Sequence, residues 1–158
     1  MDDFEIRKCL GVGSFGKVYL VRKRDSGEYY AMKSLKKEVI IENDQVEATQ
    51  LEKKIMQGKD HPFIVPLHFV FQTSSQIYFV MQFIRGGELY QLQASKKRFE
   101  ECQAKFYVAQ LAHVIGHLHS KEVIYRDLKP ENVLVGEDGY LFLADFGLCK
   151  DMSDIQFA

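Results

Sequence analysis

The stretch Gly11-Val12-Gly13-Ser14-Phe15-Gly16-Lys17-Val18-Tyr19-Leu20-Val21-Arg22 decides how this chain folds. Its first six residues read G-x-G-x-x-G, a spacing that more than one nucleotide-binding architecture carries. The next six separate those architectures. In a dinucleotide-binding turn the last glycine opens a helix, whereas the β-branched and aromatic residues after Gly16 predict a strand. Phe4, Ile6 and Leu10 hint at another strand before Gly11. The glycines therefore belong at the tip of a β-hairpin, where missing side chains let backbone N–H groups approach an anion such as phosphate. A plain glycine-rich hairpin is the competing reading.

Further along, the turn Asp25-Ser26-Gly27-Glu28 leads into Tyr29-Tyr30-Ala31-Met32-Lys33. Alternation puts Lys33 on the face of the small Ala31, where it could reach into a cleft, although a lone strand lysine is usually solvated. A helix is expected over 45–57, capped by Asn43-Asp44 and closed by Gly58. It offers Lys33 two carboxylates. Glu52 lies one turn from Ala48, Ile55 and Met56, at the edge of the apolar face, while Glu47 is set in a mostly polar patch of Asn43, Asp44, Gln50, Leu51 and Lys54. Glu52 is the inward candidate, with an ionic surface face as its alternative.

The ranges 64–72 and 76–83, split by Thr73-Ser74-Ser75, read as a hairpin. The sum is five strands in an antiparallel sheet with one inserted helix. Ile84-Arg85-Gly86-Gly87 ends that pattern, and helices follow over 88–95 and 101–121. The longer one carries apolar Phe106, Leu111, Ile115 and Leu118, with Gly116 inside it. A lobe boundary is expected here, with residues 1–83 before it and 88–158 after it. His113 and His117 stand at i,i+4 near His119, but a zinc site needs further ligands and none is close in sequence, so a partly buried helix face is favoured.

Tyr125-Arg126-Asp127-Leu128-Lys129-Pro130-Glu131-Asn132 places a carboxylate, an ammonium and a carboxamide on one loop, between the long helix and the apolar Val133-Leu134-Val135. Pro130 fixes its own φ and biases Lys129 towards extended geometry. Asp127 could accept a proton, Lys129 could neutralise a phosphate oxygen, and Asn132 could offer its carbonyl oxygen to a hard cation. Asp145-Phe146-Gly147 follows an expected strand over 140–144. Asn132 and Asp145 on neighbouring strand ends suit Mg²⁺, which takes one or two protein oxygens and completes its shell with phosphate and water.

Composition sets the frame. A chain of 158 residues fits one domain with a sizeable core, and 46% hydrophobic and 27% charged residues are ordinary for a globular protein. The net charge of −1, from 21 basic and 22 acidic residues, gives no field favouring nucleic acid or an anionic membrane. No apolar run approaches membrane-spanning length. Three cysteines without C-x-x-C are expected of a reduced, intracellular protein, in the cytoplasm and with the nucleus open as well.

Taken together, these motifs resemble the eukaryotic protein kinase catalytic domain. Residues 11–18 match its Gly-rich loop, Tyr30-Ala31-Met32-Lys33 its strand-three lysine motif, residues 127–132 its catalytic loop, and Asp145-Phe146-Gly147 its Mg²⁺-binding triplet. Tyr125 before Arg126-Asp127, with Gly147-Leu148-Cys149-Lys150, is similar to the AGC group, of the protein kinase C, protein kinase B and serum-glucocorticoid kinase type. The resemblance covers residues 4–150. It implies an α+β, bilobal kinase-like fold: the five-stranded sheet with one helix as N-lobe, residues 84–87 as hinge, and an incomplete, mainly helical C-lobe.

The resemblance also implies roles. The backbone of Gly11, Val12, Gly13, Ser14, Phe15 and Gly16 covers the ATP phosphates, and Lys33 holds the α- and β-phosphates and pairs with Glu52. Val18, Ala31 and Leu134 sandwich adenine beside Met81, the backbone at Gln82 and Ile84 bonds its edge, and Glu88 approaches the ribose. Asp127 orients the substrate hydroxyl and takes its proton, Lys129 supports the phosphoryl group, and Asn132 and Asp145 hold Mg²⁺. Lys129 looks like the Ser/Thr-specific form. Glu88 and Glu131 match positions that meet arginines in basophilic kinases, so the implied partners are ATP, a basic Ser/Thr peptide and an upstream activating kinase.

Family domains continue past the metal-binding triplet through an activation segment, an Ala-Pro-Glu motif and large helices, none of which this sequence contains. Two functions are therefore expected of it: an ATP-dependent protein Ser/Thr kinase in full-length form, or an inactive, truncated nucleotide-binding or partner-binding module. On the second, the long helix and Val133 to Val135 would lose part of their cover.

Overall fold

The computed structural model describes residues 2–58 and 61–153. Three strands come first, β1 (Phe4–Val12), β2 (Gly16–Lys23) and β3 (Tyr29–Lys36), each antiparallel to the next. After two helices, β4 (Leu67–Gln72) and β5 (Gln76–Gln82) complete a sheet of order β1-β2-β3-β5-β4. β3 thus lies at the centre, paired with β2 on one side and β5 on the other. Lys33 inherits the stiffness of that position.

The alternation in β3 works as the sequence suggests. Tyr30 and Met32 join Phe4, Val21, Tyr78 and Val80 in a small aromatic core on the outer face. Ala31 and Leu35 turn to the other face and pack into a larger core. That core runs without interruption from Phe79 and Met56 through Val114 and Leu118 to Phe146, so one body of apolar side chains underlies both the sheet and the helical part.

The expected single inserted helix is two. α1 (Lys37–Glu42) precedes α2 (Val46–Gln57). Asn43 closes α1, its Nδ2 donating to the Val39 carbonyl oxygen at 2.8 Å, and Asp44 turns the chain at φ 53°. Neither caps α2, whose N-cap residue is Gln45. The β-branched run Val39-Ile40-Ile41 hides α1 from propensity; the burial of Ile40 against the core stabilises it.

β4 begins at Leu67 rather than at residue 64, because Pro66 has no N–H for a ladder. Ile64 instead forms an isolated parallel bridge to Leu143. After the break at Ile84-Arg85-Gly86-Gly87 come α3 (Leu89–Lys96) and α4 (Glu101–Ser120). The buried stripe of α4 is Tyr107, Gln110, Val114 and Leu118. Phe106, one of the apolar residues of that helix, is exposed. Gln110 takes a core position because Leu141 N–H donates to its Oε1 at 2.8 Å while its Nε2 donates to the Phe106 carbonyl oxygen.

Two short pairs finish the fold. β6 (Val123–Ile124) pairs with β9 (Lys150–Asp151), and β7 (Val133–Val135) with β8 (Leu141–Leu143). Val133 and Val135 are buried, against the expectation that they would lose cover. Among the described residues no helix is long and apolar enough to cross a membrane.

Two glycines make opposite predictions. A Cβ on Gly116, inside α4, would meet nothing within 4 Å, whereas one on Gly16 would come within 1.8 Å of the Ser34 carbonyl oxygen. Gly116→Ala should raise the unfolding free energy by about 0.5–1 kcal/mol in urea titration, and Gly16→Ala should lower it by about 2 kcal/mol or more.

Candidate functional site

A cavity of about 470 Å³ opens between the sheet and the helical part. β2 and β3 give it Val18, Ala31 and Lys33; β5 and the break after it give Met81, Gln82 and Ile84. Leu134 of β7 and Glu88, the N-cap residue of α3, close the opposite side. Asn132 and Asp145 lie on its polar side.

The centre of the site is the Lys33 ammonium. Its Nζ donates to Glu52 Oε1 at 2.7 Å and to Asp145 Oδ1 at 3.0 Å. Of the two helix carboxylates the apolar-edge argument chose the right one, and Glu52 is buried. Burial alone would lower the Lys33 pKa, but the two carboxylates outweigh it and hold the ammonium above its ordinary value. Burial pushes the Asp145 carboxyl up, and Lys33 more than offsets this, holding it below the usual range. A raised lysine contributes stability below its unfolded value of about 10.4 and loses it as pH rises through the folded value. A depressed aspartate contributes above about 3.9 and loses it as pH falls through the folded value. The triplet is therefore intact throughout the neutral range.

Asp127 is fixed from two sides. Lys129 Nζ lies 2.8 Å from its Oδ2, and Asn132 Nδ2 donates to the same oxygen at 2.8 Å and to the Asp127 backbone oxygen at 2.9 Å. The hydrogen bond to Asp127 holds the Lys129 ammonium above the ordinary lysine value. Asn132 ends the 3₁₀ turn Pro130–Asn132, and its backbone oxygen accepts from Ala144 N–H at 2.9 Å, leaving the side-chain Oδ1 apart from that bond. That bond ties the loop to the residue before Asp145. The Tyr125 hydroxyl also donates to the Ala144 carbonyl oxygen, and its ring meets Phe146 edge-on at 5.5 Å. Burial raises the Tyr125 pKa far above the ordinary phenol value and that of Cys149 to about 12, so both stay protonated.

Two of the five non-glycine residues with positive φ among the described residues lie here. Arg126 and Asp145 both adopt left-handed φ, 65° and 53°. Such residues cost about 1 kcal/mol or more and persist where their surroundings over-determine them. Here Arg126 Nε donates to the Leu148 carbonyl oxygen at 2.6 Å and Phe146 is fully buried.

Not every expected residue lines the cavity. Gly11 does, but Val12, Gly13, Ser14, Phe15 and Gly16 form the hairpin tip outside its lining, and Asp127 and Lys129 adjoin it through Asn132. Within the tip, Gly13 N–H donates to the Gly16 carbonyl oxygen at 2.9 Å, and the Phe15 carbonyl oxygen accepts from Lys36 N–H. The sequence reading missed Lys8, Leu10, Val65 and Gln91 in the lining. Period two puts Lys8 and Leu10 on one face but Gly11 on the other, and the register shift between Cys9 and Gly11 that brings all three to the cavity leaves no mark in the sequence. Val65 gave no local signal. The rings of His113 and His117 lie 4.7 and 4.9 Å from that of His61, and among the described residues no group of three or more potential ligands could hold a metal ion.

A profile of the protein kinase domain matches residues 4–157. The chain belongs to the protein kinase domain family. This kinase domain is 48% identical over 150 residues to "Protein kinase 3" of Dictyostelium discoideum, covering 95% of this chain and 16% of that protein. It is 47% identical over 149 residues to the "RAC family serine/threonine-protein kinase homolog" of the same organism, covering 94% and 34%. To "cAMP-dependent protein kinase type 3" of Saccharomyces cerevisiae it is 43% identical over 157 residues, covering 99% and 39%. The RAC-family and cAMP-dependent relatives are kinases of AGC type, and the chain spans between 16% and 39% of the three relatives' lengths. The family as a whole works with ATP and Mg²⁺.

In this kinase domain Lys33→Met would leave Glu52 buried without its cation. The loss should be about 3 kcal/mol, the low end of the range for breaking a buried pair because Lys33 is partly exposed. Adding Glu52→Leu should recover most of it in urea unfolding; a double variant as unstable as Lys33→Met would show that the pair is not what holds α2 to β3.

Proposed function

We propose that the chain carries the nucleotide-binding and phosphoryl-transfer residues of a protein serine/threonine kinase whose substrate is a Ser or Thr hydroxyl in a basic peptide. The observation that carries this reading is Lys33, bridging Glu52 and Asp145 at the polar end of a cavity whose apolar walls include Val18, Ala31 and Leu134. Those three side chains would take the adenine beside Met81, with the backbone of Gln82 and Ile84 at its edge and Glu88 near the ribose. Backbone N–H groups of residues 11–16 would cover the phosphates.

Asn132 and Asp145 would hold Mg²⁺. Asn132 commits its amide nitrogen to Asp127, so its carbonyl oxygen is the atom of the right type for a hard cation. When bound there, Mg²⁺ would supply charge neutralisation at the phosphate oxygens of ATP. Lys33 keeps Glu52 and turns its remaining donors to phosphate. Asp127, held by Asn132, orients the substrate hydroxyl and takes its proton on a carboxylate oxygen. Lys129, at present on Asp127, would move to the transferring group as a point charge. Glu88 and Glu131, both in the cavity wall, give the rim the negative charge that a basic peptide would meet.

The chain reads as one partial kinase domain, with residues 1–83 and 88–158 as its two lobes and 84–87 between them. An intracellular setting, cytoplasmic or nuclear, accords with its three free cysteines.

Mg-ATP should raise the melting temperature of the chain, by the equivalent of about 2.7 kcal/mol at a hundred times Kd. Asp127→Asn should keep that shift, and in the full-length protein it should cut radiolabelled phosphate transfer to a basic peptide by about 10²-fold or more. No shift at saturating Mg-ATP, or unchanged transfer in Asp127→Asn, would overturn the assignment.

A further inference from the structure

Away from the cavity, the segment between α2 and β4 is attached to α4 through histidines. His61 is buried, and its Nδ1 accepts from Phe63 N–H at 3.1 Å. A nitrogen that accepts carries no proton, so His61 has its proton on Nε2. That Nε2 lies 2.7 Å from His113 Nδ1, which must then be the acceptor. His113 is left with its own proton on Nε2, and both rings are neutral. His117, one turn further along α4, lies with its ring 4.9 Å from that of His61.

Two imidazoles wired in this way have no place for another proton. It would have to go to His61 Nδ1, facing the Phe63 N–H, or to His113 Nδ1, facing the His61 Nε2–H. Either choice breaks one of the two hydrogen bonds. The same segment also holds β8: Leu143 N–H donates to the Phe63 carbonyl oxygen at 2.7 Å, and Val65 N–H donates to the Leu143 carbonyl oxygen at 3.1 Å. Phe63 stacks on Tyr140 just before that strand. Asp145 stands two residues beyond Leu143.

We propose that His61 and His113 form a proton-sensitive latch, closed when both rings are neutral, which secures the segment carrying Phe63 and Val65 to α4 and opens on acidification to loosen β8. Independent support comes from charge. Burial, then His117 and His113, hold the His61 pKa below the ordinary histidine value. Lys54 of α2, Lys121 and Asp151 of β9 line a shallow cavity with His117; the two lysines disfavour a further cation nearby and Asp151 favours one. A histidine depressed on folding contributes stability above its unfolded pKa of about 6.5 and loses it as pH falls from there to the folded value. The latch does not depend on the nucleotide reading.

The test uses the chain itself, without nucleotide. By NMR at about pH 7.5, His61 should appear as the Nε2–H tautomer, and its ring should titrate below the ordinary value together with a change at the Phe63 amide. The melting temperature should fall between about pH 7.5 and 5.5 by about 3 °C more in wild type than in His61→Gln, which cannot titrate. An Nδ1–H tautomer at neutral pH, or a His61 ring with ordinary titration and a silent Phe63 amide, would overturn the latch. So would a His61→Gln variant that keeps the full pH dependence. If His61→Gln does not fold, the wild-type titration decides alone.

Discussion

A single ammonium joins three parts of the chain that are otherwise far apart. Lys33 belongs to the central strand, Glu52 to a helix beside the sheet, and Asp145 to the end of a hairpin 112 positions away. Remove the cation and two carboxylates face one another across a partly desolvated space. The two ion pairs are unequal. The Glu52 side chain is 3% exposed and that of Asp145 56%, so the first pair works in a low effective dielectric and the second is screened by water. Among the described residues Glu52 pairs with no cation besides Lys33, whereas the exposed Asp145 can be given up to another cation at small cost. That inequality suits a site in which a metal has to compete for one carboxylate while the other keeps the lysine aimed.

What keeps Asp145 in place is mostly backbone. Its left-handed φ is sustained by the anchoring of its neighbours: Ala144 through Tyr125 and Asn132, and Phe146 by full burial in the larger core. A carboxylate presented from a strained turn has few other conformations to visit. The entropy of aiming it is therefore settled when the protein folds rather than when a ligand arrives.

The parts legible in the sequence were those with short-range physical signatures. The glycine-tipped hairpin, the face of Lys33 and the choice of Glu52 over Glu47 each followed from a period of two or of 3.6 and from neighbours within one turn. What escaped was set by distant partners. Gln110 looks like a polar interruption of a helix until Leu141 N–H is seen to need an acceptor. Phe106 is one of that helix's apolar residues but packs edge-on against the half-exposed Tyr140. α1 is spelled in β-branched residues and exists because Ile40 has a core to enter. His61 and His113, 52 positions apart, carry no mark of their hydrogen bond. Asn43 was legible as a cap but belonged to the helix before it rather than the one after.

The cavity also has a mechanical setting that follows from the fold. Beyond the shared core there are two isolated bridges: Ile64 with Leu143, which joins the sheet side to the helical side, and Glu88 with Leu134, which joins the start of α3 to β7 within the helical part. The first is reinforced by the Phe63 and Val65 bonds to Leu143, the second by Val135 N–H donating to the Gly87 carbonyl oxygen at 2.8 Å. Gly86 permits that approach, since a Cβ there would lie 2.3 Å from the Val135 carbonyl oxygen. Both bridges end on the β7–β8 hairpin, close to Asn132 and Asp145. A change in the opening of the cavity would therefore turn about the hairpin beside Asn132 and Asp145, leaving those two residues nearly still while the glycine-tipped ribbon, at the far end of the sheet, moves furthest. Rigid acids and a mobile cover are what a site must combine if it is to admit a large anionic ligand and still hold its charged end in one place.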